Sequence, residues 1–153
     1  MLKGIKQTDE ELLPVIRKYG CLFLCFAYAS PLLFEGKVGR YALNGLFIEA
    51  IFKGIISDDI NHDGDYDDIG EAEVQDHNAL ARLFNLKVKY DGIHHTADEK
   101  IPSNVAIVFG QYYWKSGHFV VLNNYKKVSF DSCGSSNTVK NGYLKSMRFY
   151  YAG

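Results

Sequence analysis

Three residues of this chain, Cys21, His118 and Asp131, have the types and order needed for covalent chemistry on a carbonyl. The run from Gly117 to Cys133 places two β-rich stretches around a polar centre, which predicts a hairpin turning at Asn124-Tyr125. In that register Asn123 faces Lys126 and His118 faces Asp131, with Cβ atoms about 4.5–5.5 Å apart. An imidazole opposite a carboxylate is the base-plus-orienter half of a nucleophilic triad, because the acid fixes the tautomer and stabilises the imidazolium. A register shift of one residue would put the two side chains on opposite faces.

The nucleophile is sought among three cysteines. Their irregular spacing gives neither a disulfide framework nor a zinc motif, and leaves a candidate thiol enzyme. Cys21 follows Gly20 and opens a run that reads as a buried helix through Ser30, apolar nearly all round. Unpaired N–H groups and the dipole at a helix N-terminus both favour a thiolate. Cys25, one turn on, reads as a packed, inert thiol. Cys133 shares the face of Asp131 if the strand continues, but it falls in a Gly/Ser loop, so it ranks behind Cys21. The alternative for Cys21 is a small core residue.

The elements that must position these groups follow from periodicity and punctuation. A first helix is expected from Thr8 to Lys18, with acids in its first turn and Gly20 after its end. Gly36–Gly39 reads as a break, then Tyr41–Ile56 and Val74–Asn85 read as helices. Strands are expected at Leu86–Tyr90, Asn104–Tyr113, the hairpin, and about Tyr143–Tyr151. Helices first and an antiparallel sheet second is an α+β arrangement. At 153 residues the chain is about one domain, with a helical part near 8–85 and a sheet part near 86–151.

A net charge of −1 argues against a broad nucleic-acid-binding surface, and no apolar run approaches a membrane span. With no signal pattern, the expected location is the cytoplasm as synthesised; export by a route needing no signal stays open.

Between the helices expected at Tyr41–Ile56 and Val74–Asn85 lies an acidic stretch in which Asp59, Asn61, Asp63, Asp65 and Asp67 alternate around Gly64. This matches the first half of an EF-hand loop, with Asp65 contributing its carbonyl and Asp67 acting through water. Gly70 occupies the position of the closing glutamate, so Glu71 or Asp68 would close the set. The expected ligand is a structural Ca²⁺; the alternative is a solvated acidic loop. His94-His95 with Asp98 and Glu99 reads as a surface loop, since adjacent histidines on an extended chain point apart. Tyr112, Tyr113 and Trp114 would line a cleft or pack in the core.

A cysteine after glycine at the head of a buried helix, a late Gly-His-Phe-Val-Val strand and an aspartate closing the next strand together resemble the papain-like cysteine peptidases. The branch is that of compact bacterial peptidases that process bacteriocin leaders. The segment Gly134-Ser-Ser-Asn-Thr-Val-Lys-Asn-Gly is similar to small phage- and plasmid-borne relatives. The resemblance implies a single papain-like domain over 1–153, with Cys21 as nucleophile, His118 as base and then acid, and Asp131 as orienter. It also implies Gln7 as an oxyanion donor beside the Cys21 backbone N–H, a peptide or amide substrate, and no cofactor for catalysis. A rival reading keeps the fold as a catalytically inactive, calcium-stabilised binding module, favoured by bulky Leu22 and Phe23 after the cysteine.

Overall fold

The structure, a computed structural model, describes residues 1–57 and 73–153. It is a mixed α+β chain that divides into two compact units, Met1–Leu86 and Lys87–Gly153. The division falls where the sequence changes from helical to alternating patterns.

The N-terminal unit runs β1 (Leu2–Lys3), α1 (Pro14–Tyr19), α2 (Cys21–Ala29), β2 (Phe34–Glu35), α3 (Gly36–Phe52), β3 (Ile56–Ser57), β4 (Glu73–Val74) and α4 (His77–Leu83). β1 and β2 pair in parallel, β3 and β4 antiparallel. α1 begins six residues later than the acids at 9–11 suggest, with Pro14 in its first turn. A proline lacks the N–H that the helix interior uses, so the first helical position suits it best. The acids before it serve elsewhere: Asp9 takes the Lys6 N–H and pairs with Arg40 at 2.7 Å. The glycines at 36–39 form the first turn of α3 rather than a break. α4 is shorter than expected and is capped by Asp76, whose side chain accepts the Ala79 N–H at 2.9 Å.

Gly20 closes α1 and opens α2 at once. A Cβ there would lie 2.7 Å from the Ile16 carbonyl oxygen, so only glycine permits so abrupt a junction. α2 buries Phe23, Leu24, Cys25, Phe26 and Ala27. Phe84 is the hub of this core, with ring centroids 5.1 Å from Phe23, 5.8 Å from Phe34 and 6.4 Å from Phe26. Phe23 also meets Phe47 of α3 edge-on at 5.1 Å. Edge-to-face pairs of this kind add about 0.5–1.5 kcal/mol each beyond burial.

The C-terminal unit comprises β5 (Val88–Tyr90), β6 (His95–Thr96), β7 (Val105–Trp114), β8 (Ser116–Leu122), β9 (Val128–Phe130), α5 (Asn137–Asn141) and β10 (Tyr143–Ala152). Its strands form one antiparallel six-stranded sheet in the order β5-β10-β7-β8-β9, with β6 also on β10. Val105, Val108, Val120, Leu122, Met147 and Phe149 make a buried cluster, covered in part by Val139 of α5. α5 was not expected from the Gly/Ser/Asn composition. Ser136 creates it by accepting the Val139 N–H at 3.3 Å, an N-cap that a polar loop sequence readily supplies.

Among the described residues no helix is long and apolar enough to cross a membrane.

Candidate active site

His118 lies on β8 opposite Tyr112 of β7, and it shares its face with Val120 and Leu122 of the buried cluster. Alternation along β8 therefore buries the imidazole, which is 7% exposed. The hairpin differs from the expected two-residue turn. Leu122 pairs with Val128 and Val121 with Phe130 across a bulge, and Asn123 to Lys127 form a longer turn. By the outer pairing the register has slipped two residues from that expected, which preserves the face. Asp131 is thus displaced along the strand rather than turned away, and its Oδ1 lies 2.7 Å from His118 Nε2.

Asp131 is the centre around which the following loop winds. Its Oδ1 also accepts the Cys133 N–H at 3.0 Å, and its Oδ2 accepts the Ser136 N–H at 3.0 Å. The Gly134 N–H returns to the Asp131 carbonyl at 2.8 Å, with Gly134 at φ +80°, a conformation that suits glycine. Burial works against charge on Asp131. The His118 ring and the N–H groups of Ser136 and Cys133 outweigh it and hold the carboxyl well below the usual carboxylate range. An ionised carboxylate only accepts hydrogen bonds, so Nε2 of His118 is the protonated nitrogen and the basic lone pair is on Nδ1. That is the state a general base must have.

The sulfur of Cys133 belongs to this cluster as well. One ligand atom each from His118, Asp131 and Cys133 lie within 4.8 Å of one another. Sequence reading placed Cys133 behind Cys21 because of its loop context; the Asp131-centred turn is what brings it in.

No protein-family model, curated protein or solved structure matches this chain.

Cys21 and Gln7 belong to the N-terminal unit. Cys21 is the first residue of α2 and is half-buried, whereas Cys25 is fully buried. Of the two bulky residues after the cysteine, Phe23 is buried in the aromatic core and only Leu22 is partly exposed. Gln7 is buried, and its amide nitrogen is 3.2 Å from both the Ile16 and Arg17 carbonyls. The Ile16 carbonyl also receives the Gly20 N–H at 2.8 Å, so Gln7 is fastened to the α1–α2 junction from which Cys21 departs. Donating to an oxyanion would require it to release one of these carbonyls.

The acidic residues Asp59, Asn61, Asp63, Asp65, Asp67 and Glu71, with the alternative closing ligand Asp68, lie outside the described residues. Ser57 and Glu73, which bracket that stretch, are strand partners. His95 departs from the expected surface loop. It is 8% exposed and stacks on Phe149 with ring centroids 3.9 Å apart. Its Nε2 lies 2.7 Å from Asp91 and its Nδ1 3.0 Å from Glu99. Asp91, four residues upstream, was missed, and only the turn in the chain reveals it. Tyr112 packs against the buried cluster, while Tyr113 is exposed beside Tyr143 and Lys145.

Proposed function

We propose that the protein is a thiol hydrolase of papain-like fold that cleaves a peptide or amide bond through Cys21, His118 and Asp131. The observation that carries the reading is the 2.7 Å contact between His118 Nε2 and an Asp131 carboxylate kept ionised, against its burial, by donors from His118, Ser136 and Cys133. Nδ1 takes the proton of the Cys21 thiol as its sulfur attacks the carbonyl carbon. The imidazolium then protonates the departing amine, leaving an acyl-enzyme. Water activated by His118 hydrolyses that thioester and regenerates the thiol. The Cys21 backbone N–H, at a helix start, and the Gln7 amide are the proposed donors to the oxyanion.

The rival reading, an inactive module with the same fold, is favoured by one observation: the Gln7 amide is already engaged by two carbonyls. Iodoacetamide labelling across pH, read by peptide mass spectrometry, separates the two. Rapid labelling of Cys21 below about pH 7 that is lost in His118→Ala supports the hydrolase. Labelling of Cys21 only above about pH 8, the behaviour of an ordinary thiol, supports the module.

A further inference from the structure

We propose that Cys133, His118 and Asp131 form a binding site for a soft divalent transition-metal ion of the zinc class, and that this ion holds the hydrolase in an off state. The binding claim stands on local geometry; the regulatory claim rests on the proposed function.

The donor set is the right one for such an ion. Thiolate and imidazole together select zinc-class metals over magnesium or calcium, and a carboxylate completes a three-ligand set that leaves a fourth position for water. Around a tetrahedral zinc, S, N and O ligands stand about 3.3–3.8 Å apart. The three side chains already present one donor atom each within 4.8 Å of one another. Closing on an ion therefore asks for shifts on the order of 1 Å.

The protons balance. A neutral imidazole keeps its single ring proton, on whichever nitrogen does not bind the ion, so the thiol proton of Cys133 is the one that leaves: one proton per ion bound. Binding must then weaken as pH falls. With the metal on one ring nitrogen and the ring proton on the other, His118 has no lone pair left to take the proton of Cys21.

Cobalt(II) titration of the full-length, phosphine-reduced protein tests this, because a thiolate ligand gives an intense near-ultraviolet charge-transfer band that oxygen ligands in the acidic stretch cannot produce. We expect a band that saturates at one ion per chain, bleaches on adding zinc, disappears in Cys133→Ser and persists in Cys21→Ser. Zinc affinity should fall by roughly 100-fold in Cys133→Ser, at the upper end of what a perturbed zinc site loses. No thiolate band in the wild type, a band surviving in Cys133→Ser, or a band that requires Cys21 overturns the site. Metal-free melting curves establish that Cys133→Ser is folded, and His118→Gln provides a second ligand deletion. Because Cys21→Ser lacks the proposed nucleophile yet must still bind cobalt, failure of the hydrolase reading leaves the site testable. For the regulatory half, zinc should slow Cys21 labelling in the wild type and leave it unchanged in Cys133→Ser; equal labelling with and without zinc in the wild type overturns it.

Discussion

Cys133 and His118 converge on one oxygen: the Cys133 backbone N–H and the His118 Nε2–H both end on Asp131 Oδ1, at 3.0 and 2.7 Å. Orientation of the imidazole and shape of the loop are consequently one property of one carboxylate. Asp131→Asn should therefore do two things. An amide in that place presents a donor to a cluster of donors, so the imidazole loses its fixed tautomer and the loop loses a charge-assisted anchor. Cys21 labelling at about pH 6 should drop at least about tenfold, equivalent to one pKa unit of thiol activation. Unchanged labelling would remove Asp131 from the mechanism.

Stability should decline at both ends of the pH range for separate reasons. Asp131 has a depressed carboxyl, so its contribution is complete above about pH 4 and is lost as pH falls toward its folded value. His95 behaves in the opposite sense. Burial lowers its affinity for a proton, but hydrogen bonds and charges from Glu99 and Asp91 outweigh that and raise it. Its contribution is thus complete below about pH 6.5 and is lost as pH rises through the raised folded value. Melting temperatures measured from acid to mildly alkaline pH should show the alkaline decline in the wild type and a flatter alkaline limb in His95→Gln. Parallel limbs in the two proteins would contradict the role of His95.

Gly20→Ala should destabilise the N-terminal unit by about 1–3 kcal/mol, the range for forcing an atom into a filled space. The new methyl would have to displace the Ile16 backbone, since it would sit 2.7 Å from the Ile16 carbonyl oxygen and 2.8 Å from its Cα. Denaturant unfolding measures this, and a variant as stable as the wild type would show that the α1–α2 junction has slack.

The alternation Asp59, Asn61, Asp63 around Gly64 predicts a structural calcium ion. A chelator should lower the melting temperature and added Ca²⁺ should restore it, because a ligand that binds only the folded state stabilises it. No shift in either direction would leave these carboxylates as a solvated stretch.

How far the sequence carried differs from residue to residue. The His118–Asp131 pair was legible because side-chain direction on a strand depends on parity, and parity survived the bulge that displaced the register. The α+β order was legible from the change of period near residue 86. The start of α1 was not, because the acids at 9–11 imitate a helix cap whose use is set by Arg40, far along the chain. His95 was read as exposed because nothing local announces that Phe149, from the last strand, covers its ring. Cys133 was ranked low for a similar reason: the Asp131-centred turn is built from backbone N–H groups, which leave no trace in residue type.

Ile56 faces Val74 and Ser57 faces Glu73, so two points of the N-terminal unit far apart in the chain are clipped side by side by a short antiparallel ladder. The entropy of holding two chain positions together grows only with the logarithm of the length between them, about 0.6 kcal/mol per doubling. The cost of closing this ladder therefore depends only weakly on how many residues separate Ser57 from Glu73.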